Sequence, residues 1–168
     1  MSAKASSKKI NWISIVIGCI LLTVRILTVS IHKSPYEMIH KLDHSGIIPP
    51  VWILNLSFGL LFFALGYAAG LIIGKATTGK GKSEVISAYR GGLYFMVALF
   101  TLTVHYPLFF SMERLAISLL TVLVATVSLA LCAISWARIS KGAMTIITLC
   151  AIFSSYASLI NLLILISN

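Results

Sequence analysis

The sequence predicts an all-α integral membrane protein, a single five-transmembrane-helix bundle, and three observations predict it. Of its 168 residues 59% are hydrophobic and 10% charged, with a mean hydropathy of +1.02, whereas a soluble domain carries about 25% charged residues. The apolar residues gather into five runs, 10–31, 48–74, 85–110, 115–137 and 143–166, each meeting the roughly 20 residues that a helix needs to cross about 30 Å of hydrocarbon. None of the runs alternates like a lipid-facing barrel strand. Lipid offers a backbone no hydrogen-bond partner, so each run must satisfy itself as a helix. Little chain is left outside the runs, and residues 1–168 are expected to form one transmembrane domain.

In the first run, Lys4, Lys8 and Lys9 precede the apolar residues, and Thr28-Val29-Ser30 loosely imitates a signal-peptide cleavage site. The run is too long for a signal core and contains Arg25, so a retained anchor helix fits better. Arg25 has two readings: it snorkels outward about 9 Å along the helix, or it turns inward as a polar contact to a ligand or a neighbouring helix. The second run carries Gly59, Gly66, Gly70 and Gly74, and its last three glycines make two overlapping GxxxG steps. These serve either close packing inside one chain or a homodimer face.

The third run sets Tyr94, Ala98, Thr101 and His105 along one face and ends in His105-Tyr106-Pro107 before Phe109-Phe110. Such a face points inward or into a cavity, with His105 as a hydrogen-bonded packing residue or a ligand contact. In the fourth run Ser118, Thr121, Ala125, Ser128, Cys132 and Ser135 draw one stripe of small residues, and the fifth repeats this with Ala151, Ser154, Ser158 and Asn161. Both stripes are packing seams. Trp12 and Trp136 stand near run ends, where interfacial belt residues are expected.

Several function classes are excluded. The net charge of +9 is scattered over short loops rather than gathered in a patch, so no nucleic-acid partner is expected. Grouped by side, nine basic residues lie with the N-terminus (Lys4, Lys8, Lys9, Lys75, Lys80, Lys82, Arg90, Arg138, Lys141) against Lys33, Lys41 and Arg114 opposite. By the positive-inside rule the N-terminus lies inside and the C-terminus outside. Glu37, Asp43, Glu84 and Glu113 all fall in loops or at run ends, which leaves no intramembrane acid for a proton relay. Cys19, Cys132 and Cys150 are widely separated and form no disulfide or metal motif. His40 and His44 are an i, i+4 pair, but no Cys or carboxylate ligand set accompanies them, and no metal is expected. There is no Ser/His/Asp set, and Gly79-Lys80-Gly81-Lys82 lacks the spacing of a phosphate-binding loop.

The second run is the most specific segment. Pro49-Pro50-Val51-Trp52-Ile53-Leu54-Asn55-Leu56-Ser57-Phe58-Gly59-Leu60-Leu61-Phe62, followed by Leu65-Gly66-Tyr67-Ala68, resembles the TspO/MBR family of tryptophan-rich sensory proteins and translocator proteins. That family opens its second helix with Pro-Pro-x-Trp-Val-Phe-Gly-Pro-Val-Trp-x-x-Leu-Tyr and then Met-Gly-x-Ala. Pro49, Pro50, Trp52, Leu61, Gly66 and Ala68 keep the pattern. Leu99 to Phe110 is similar to the family's third-helix Leu-x-Leu-Asn-x-x-Trp-x-x-x-Phe-Phe, and Ile160 to Asn168 to its closing Leu-Asn-x-x-x-x-x-x-Asn. The resemblance covers Leu42 to Asn168 and, by helix count, the first run. It implies a TspO-like bundle of five helices.

The chain departs from the family in its tryptophans, of which it has three. Trp52 keeps a family indole position; Phe58 and Phe62 stand where the family has a second tryptophan and a tyrosine. Leu102, Thr103 and His105 replace the third-helix asparagine and aromatics, Leu149 to Phe153 replace Pro-Tyr-x-x-Trp, and Met38-Ile39 replace the loop pair Trp-Tyr. In the family these positions line a cavity for porphyrins and, in animal members, cholesterol. The resemblance thus implies a ligand site of Trp52, Phe58, Phe62, Thr103, His105, Phe153 and Asn161, with Arg25, His40, Lys41 or His44 available to propionates. Stacking faces and a few donors suit a flat macrocycle.

Phenyl rings are not oxidised by a photoexcited porphyrin as indoles are, so porphyrin-degrading activity and enzyme function in general are not expected. Sterol recognition is not expected either, because no Lys or Arg follows Tyr156, and the reversed pattern from Arg90 to Val97 is weak. Two readings of function remain. One is a TspO-like receptor or carrier in a bacterial cell membrane that binds a porphyrin or similar flat apolar ligand, with stress-related regulation and no resident cofactor. The other is an accessory subunit or small transporter component that kept the fold and lost the porphyrin site.

Overall fold

A computed structural model of the chain describes residues 2–31, 49–76 and 81–167. The five runs are five helices: α1 (Ser2–Ile31), α2 (Val51–Ala76), α3 (Lys82–Phe110), α4 (Leu115–Trp136) and α5 (Lys141–Ser167). All five are long and apolar enough to cross a membrane, and no strand occurs among the described residues.

The helix ends differ from the apolar runs for local reasons. α1 begins at Ser2 rather than near Ile10, because Ser2 to Lys9 contains no Gly or Pro to break it. α2 starts at Val51, after Pro49-Pro50: each proline restricts the residue before it, and the Pro50 carbonyl accepts from Ile53 N (2.9 Å) and Leu54 N (3.2 Å). α3 starts at Lys82, next to the extended Gly81, which puts Glu84 in its first turn. α4 ends one residue early, at Trp136. α5 starts at Lys141, where Ser140 Oγ accepts from Ala143 N at 3.4 Å as an N-cap does.

Around the bundle the helices run α1, α2, α5, α4, α3. Sequence neighbours pack in the pairs α1–α2, α3–α4 and α4–α5, α2 packs on α5, and α3 barely touches α1 and α2. α1 is the peripheral member, with 17% of its span buried against 39–44% for the others.

The α1–α2 seam is made by glycine. A Cβ on Gly66 would lie 2.6 Å from the Ile17 carbonyl oxygen, and one on Gly70 would run into the Ser14 backbone. Gly18 of α1 returns the contact, since a Cβ there would meet the Phe63 ring at 2.9 Å. The GxxxG face is therefore occupied inside the chain. The small stripes are spent likewise: Ser118, Ala125 and Cys132 of α4 and Ser154, Ser158 and Asn161 of α5 are buried, and Thr126 Oγ1 of α4 donates to Ser154 Oγ of α5 at 2.8 Å. Of the two readings of the glycine face, internal packing is the one these contacts make.

Trp136 is a correction. It is 2% exposed and lies in the core rather than at an interfacial belt. Its indole stacks on Phe95 at 5.5 Å, sends Nε1–H to the Ala88 carbonyl at 3.4 Å, and occupies space that Gly91 leaves free. Trp12 faces outward, at 68% exposed, as a belt residue does.

Candidate functional site

At the end of the bundle where α2 begins and α3 and α5 finish, a cavity of about 180 Å³ opens between these three helices. α2 presents Ile53, Ser57 and Phe58 to it, one turn apart, and Pro49 stands at its rim. α3 contributes His105, Phe109 and Phe110. α5 contributes Phe153, Tyr156, Ala157, Ile160, Asn161 and Ile164, a stripe at helical spacing.

The walls are aromatic. Phe58 and Phe153 meet edge to face at 5.5 Å, His105 lies 6.2 Å from Phe58 and 5.8 Å from Phe109, and Phe109 and Phe110 meet edge to face at 4.7 Å. This geometry is the favourable one for aromatic pairs. His105 is anchored across the bundle, its Nδ1 2.9 Å from Ser118 Oγ and 3.3 Å from the Ser118 carbonyl of α4.

Asn161 and Arg25, near this site, are each buried with an atom left without a hydrogen bond among the described residues. Asn161 is 4% exposed, and its Oδ1 has no donor. Arg25 is 5% exposed, and its Nη1 has no acceptor. Of its two sequence readings, the structure has the inward one: the guanidinium lies over the Tyr106 ring at 4.2 Å and the Phe58 ring at 5.4 Å. A desolvated cation over aromatic faces gains about 2 kcal/mol, while a buried polar atom left unbonded costs about 1–3 kcal/mol. The arrangement suits a site that offers one acceptor and a positive field to a guest.

The residues expected at a ligand site divide as follows. Phe58, His105, Phe153 and Asn161 come together around the cavity. Arg25 stands behind Phe58 rather than in the cavity wall, and it also lines a groove of about 500 Å³ on the outer side of α1 and α2. Trp52 is a correction: it is 64% exposed and does not line the cavity, because Trp52, Leu56 and Leu60 share the outward stripe of α2. Phe62 is a core residue, 1% exposed, one turn deeper than Phe58. Thr103 is half-buried and spends its hydroxyl on the Leu99 carbonyl at 2.8 Å, one turn above Pro107 in α3. His40, Lys41 and His44 lie outside the described residues.

Sequence reasoning missed Tyr156, Ile160 and Ile164. Their signal was the i, i+4, i+8 step from Tyr156, read in the sequence only for the adjoining small residues Ser154, Ser158 and Asn161. Among the described residues no group of three His, Cys, Asp or Glu side chains comes together.

The family model for the TspO/MBR family matches residues 12–166, spanning all five helices. No curated protein matches the sequence.

Proposed function

As the chain belongs to the TspO/MBR family, we propose that it works as a membrane receptor or carrier for a flat apolar ligand of the porphyrin type, held between α2, α3 and α5. The observation that carries this reading is the aromatic cavity with the unbonded, buried Oδ1 of Asn161 in its wall. Phe58, Phe109 and Phe153 offer stacking faces, Asn161 accepts from a ligand N–H or O–H, and Arg25 behind Phe58 sets a positive field that favours an acidic ligand. A cavity of about 180 Å³ is smaller than the roughly 300–1,000 Å³ of most small-molecule sites, so it takes one edge of the macrocycle and the rest extends past Pro49.

The role is binding, with a regulatory output under stress, and not turnover. The cavity wall holds phenylalanines and Tyr156 but no indole, and an indole is what a photoexcited porphyrin oxidises. The basic residues at the starts of α3 and α5 and the end of α2 support an orientation with the N-terminus inside.

The test is a titration of the detergent-purified protein with protoporphyrin IX in the dark, following the Soret band. Saturable binding is expected, weakened about fivefold or more, roughly 1 kcal/mol, by Phe58→Ala, and weakened also by Asn161→Leu. Trp52→Phe is expected to bind like the parent. Absence of saturable binding overturns the proposal and leaves the accessory-subunit reading.

A further inference from the structure

The opposite half of the bundle holds a second, larger space. Because α3 packs on α4 and barely touches α1 and α2, a cleft of about 570 Å³ runs between α3 and the α1–α2 pair. Ile17 and Leu21 of α1, Ile72 and Ile73 of α2, and Leu93 and Met96 of α3 are among its walls, and its surface is almost wholly apolar. Gly92 forms part of the wall, and a Cβ placed on it would meet nothing within 4 Å.

Along α3 the cleft extends from Ala88 to Leu99, eleven steps or about 16 Å at 1.5 Å per residue. That is half of a hydrocarbon core about 30 Å thick, the depth of one leaflet. At its outer end Tyr89 and Leu93 also line a shallower depression that includes Arg90. Arg90 is exposed and makes no ion pair or hydrogen bond with the described residues. The same end of the bundle carries Lys75, Lys82, Arg138 and Lys141, and among the described residues Glu84 is the one acidic side chain at that end. Tyr89, 73% exposed, stands beside Arg90, and an exposed aromatic residue with basic neighbours marks the headgroup depth of a bilayer.

We infer that this cleft is a binding site for one anionic phospholipid, with an acyl chain between α3 and the α1–α2 pair and the phosphate on Arg90. The second chain stays in the bulk leaflet. A planar guanidinium pairs with phosphate through two parallel hydrogen bonds, and the basic rim selects an anionic headgroup over a zwitterionic one. The site lies at the other end of the bundle from the aromatic cavity, so it stands or falls independently of the porphyrin reading.

The experiment is native mass spectrometry of the delipidated full chain after incubation with phosphatidylglycerol or phosphatidylcholine of identical acyl chains. One phosphatidylglycerol per chain is expected, retained at least fivefold better than phosphatidylcholine. Arg90→Gln should weaken retention of both lipids, since each carries the phosphate that Arg90 holds, and Gly92→Phe should remove the bound lipid by filling the cleft. Leu93→Trp fills the same cleft from a side chain that is 54% exposed, and serves if Gly92→Phe lowers helicity or the melting temperature. Equal retention of the two lipids by the parent overturns the proposal, as does retention unchanged in both cleft-filling variants. A parent dimer that Gly92→Phe or Leu93→Trp dissociates also overturns it, because a second copy of the chain would then cover the cleft.

Discussion

Arg25 is the residue whose surroundings decide most. Its guanidinium sits in the membrane span over Tyr106 and Phe58 with Nη1 unbonded among the described residues. The Tyr106 ring, at 4.2 Å, is the nearer of the two. Tyr106→Leu is therefore expected to lower the melting temperature in detergent more than Tyr106→Phe does, by a cation–π term of about 2 kcal/mol. Equal losses in the two variants would show that the ring face does not hold the charge. The sequence displayed both that Arg25 was unusual and that it had two places to go, but the choice depended on an aromatic pair from two other helices. Trp52 shows a different limit. It is adjacent to Ile53, which lines the cavity, and a family motif carries its position without its direction. Pro50 starts α2 at Val51, and the helical step of 100° turns Trp52 outward with Leu56 and Leu60.

Among the elements, α1 packs chiefly on α2, through a seam in which glycines bring the two backbones together. Gly66 and Gly70 leave no room for a Cβ against Ile17 and Ser14, and overpacking a close contact costs about 1–3 kcal/mol. Gly70→Ala should consequently lower the melting temperature by several degrees, at about 2–4 °C per kcal/mol for a chain of this size, with no change in oligomeric state by cross-linking. Gly92→Ala is the control: its Cβ enters open space, and replacing a helical glycine by alanine adds up to about 1 kcal/mol, so an unchanged or higher melting temperature is expected. The glycine spacing was readable as a contact surface because small residues at i, i+4 and i+8 serve little else in a membrane helix. Which surface it met was not, since the same spacing fits an internal helix and a second chain equally well. Trp136 was misjudged for a related reason. Its place at the end of an apolar run suits a belt residue, while the space that admits it inward comes from Gly91, 45 positions earlier.

For the whole molecule, helix number and family membership were legible because hydrocarbon thickness fixes run length and the Pro-Pro-x-Trp segment survives. The cavity was only half legible, because its walls come from three helices whose mutual rotation no single run encodes. The proposed orientation has its own measurement: in a cysteine-free background, a membrane-impermeant maleimide applied to intact cells should label a cysteine at Ser167 and spare one at Ser2. The reverse pattern would place the N-terminus outside. The order of packing around the bundle has a consequence for assembly. Three of the main seams join consecutive helices, and α2–α5 is the one that joins distant stretches of chain. The packing thus divides the chain into a hairpin, α1–α2, and a three-helix unit, α3–α5, each held mainly by contacts between consecutive helices. The aromatic cavity straddles the junction of these two halves, so a ligand bound there would act as a clasp. Two coexpressed fragments, one ending at Ala76 and the other beginning at Lys82, are expected to find each other in the membrane, and a ligand of the cavity is expected to tighten that complementation.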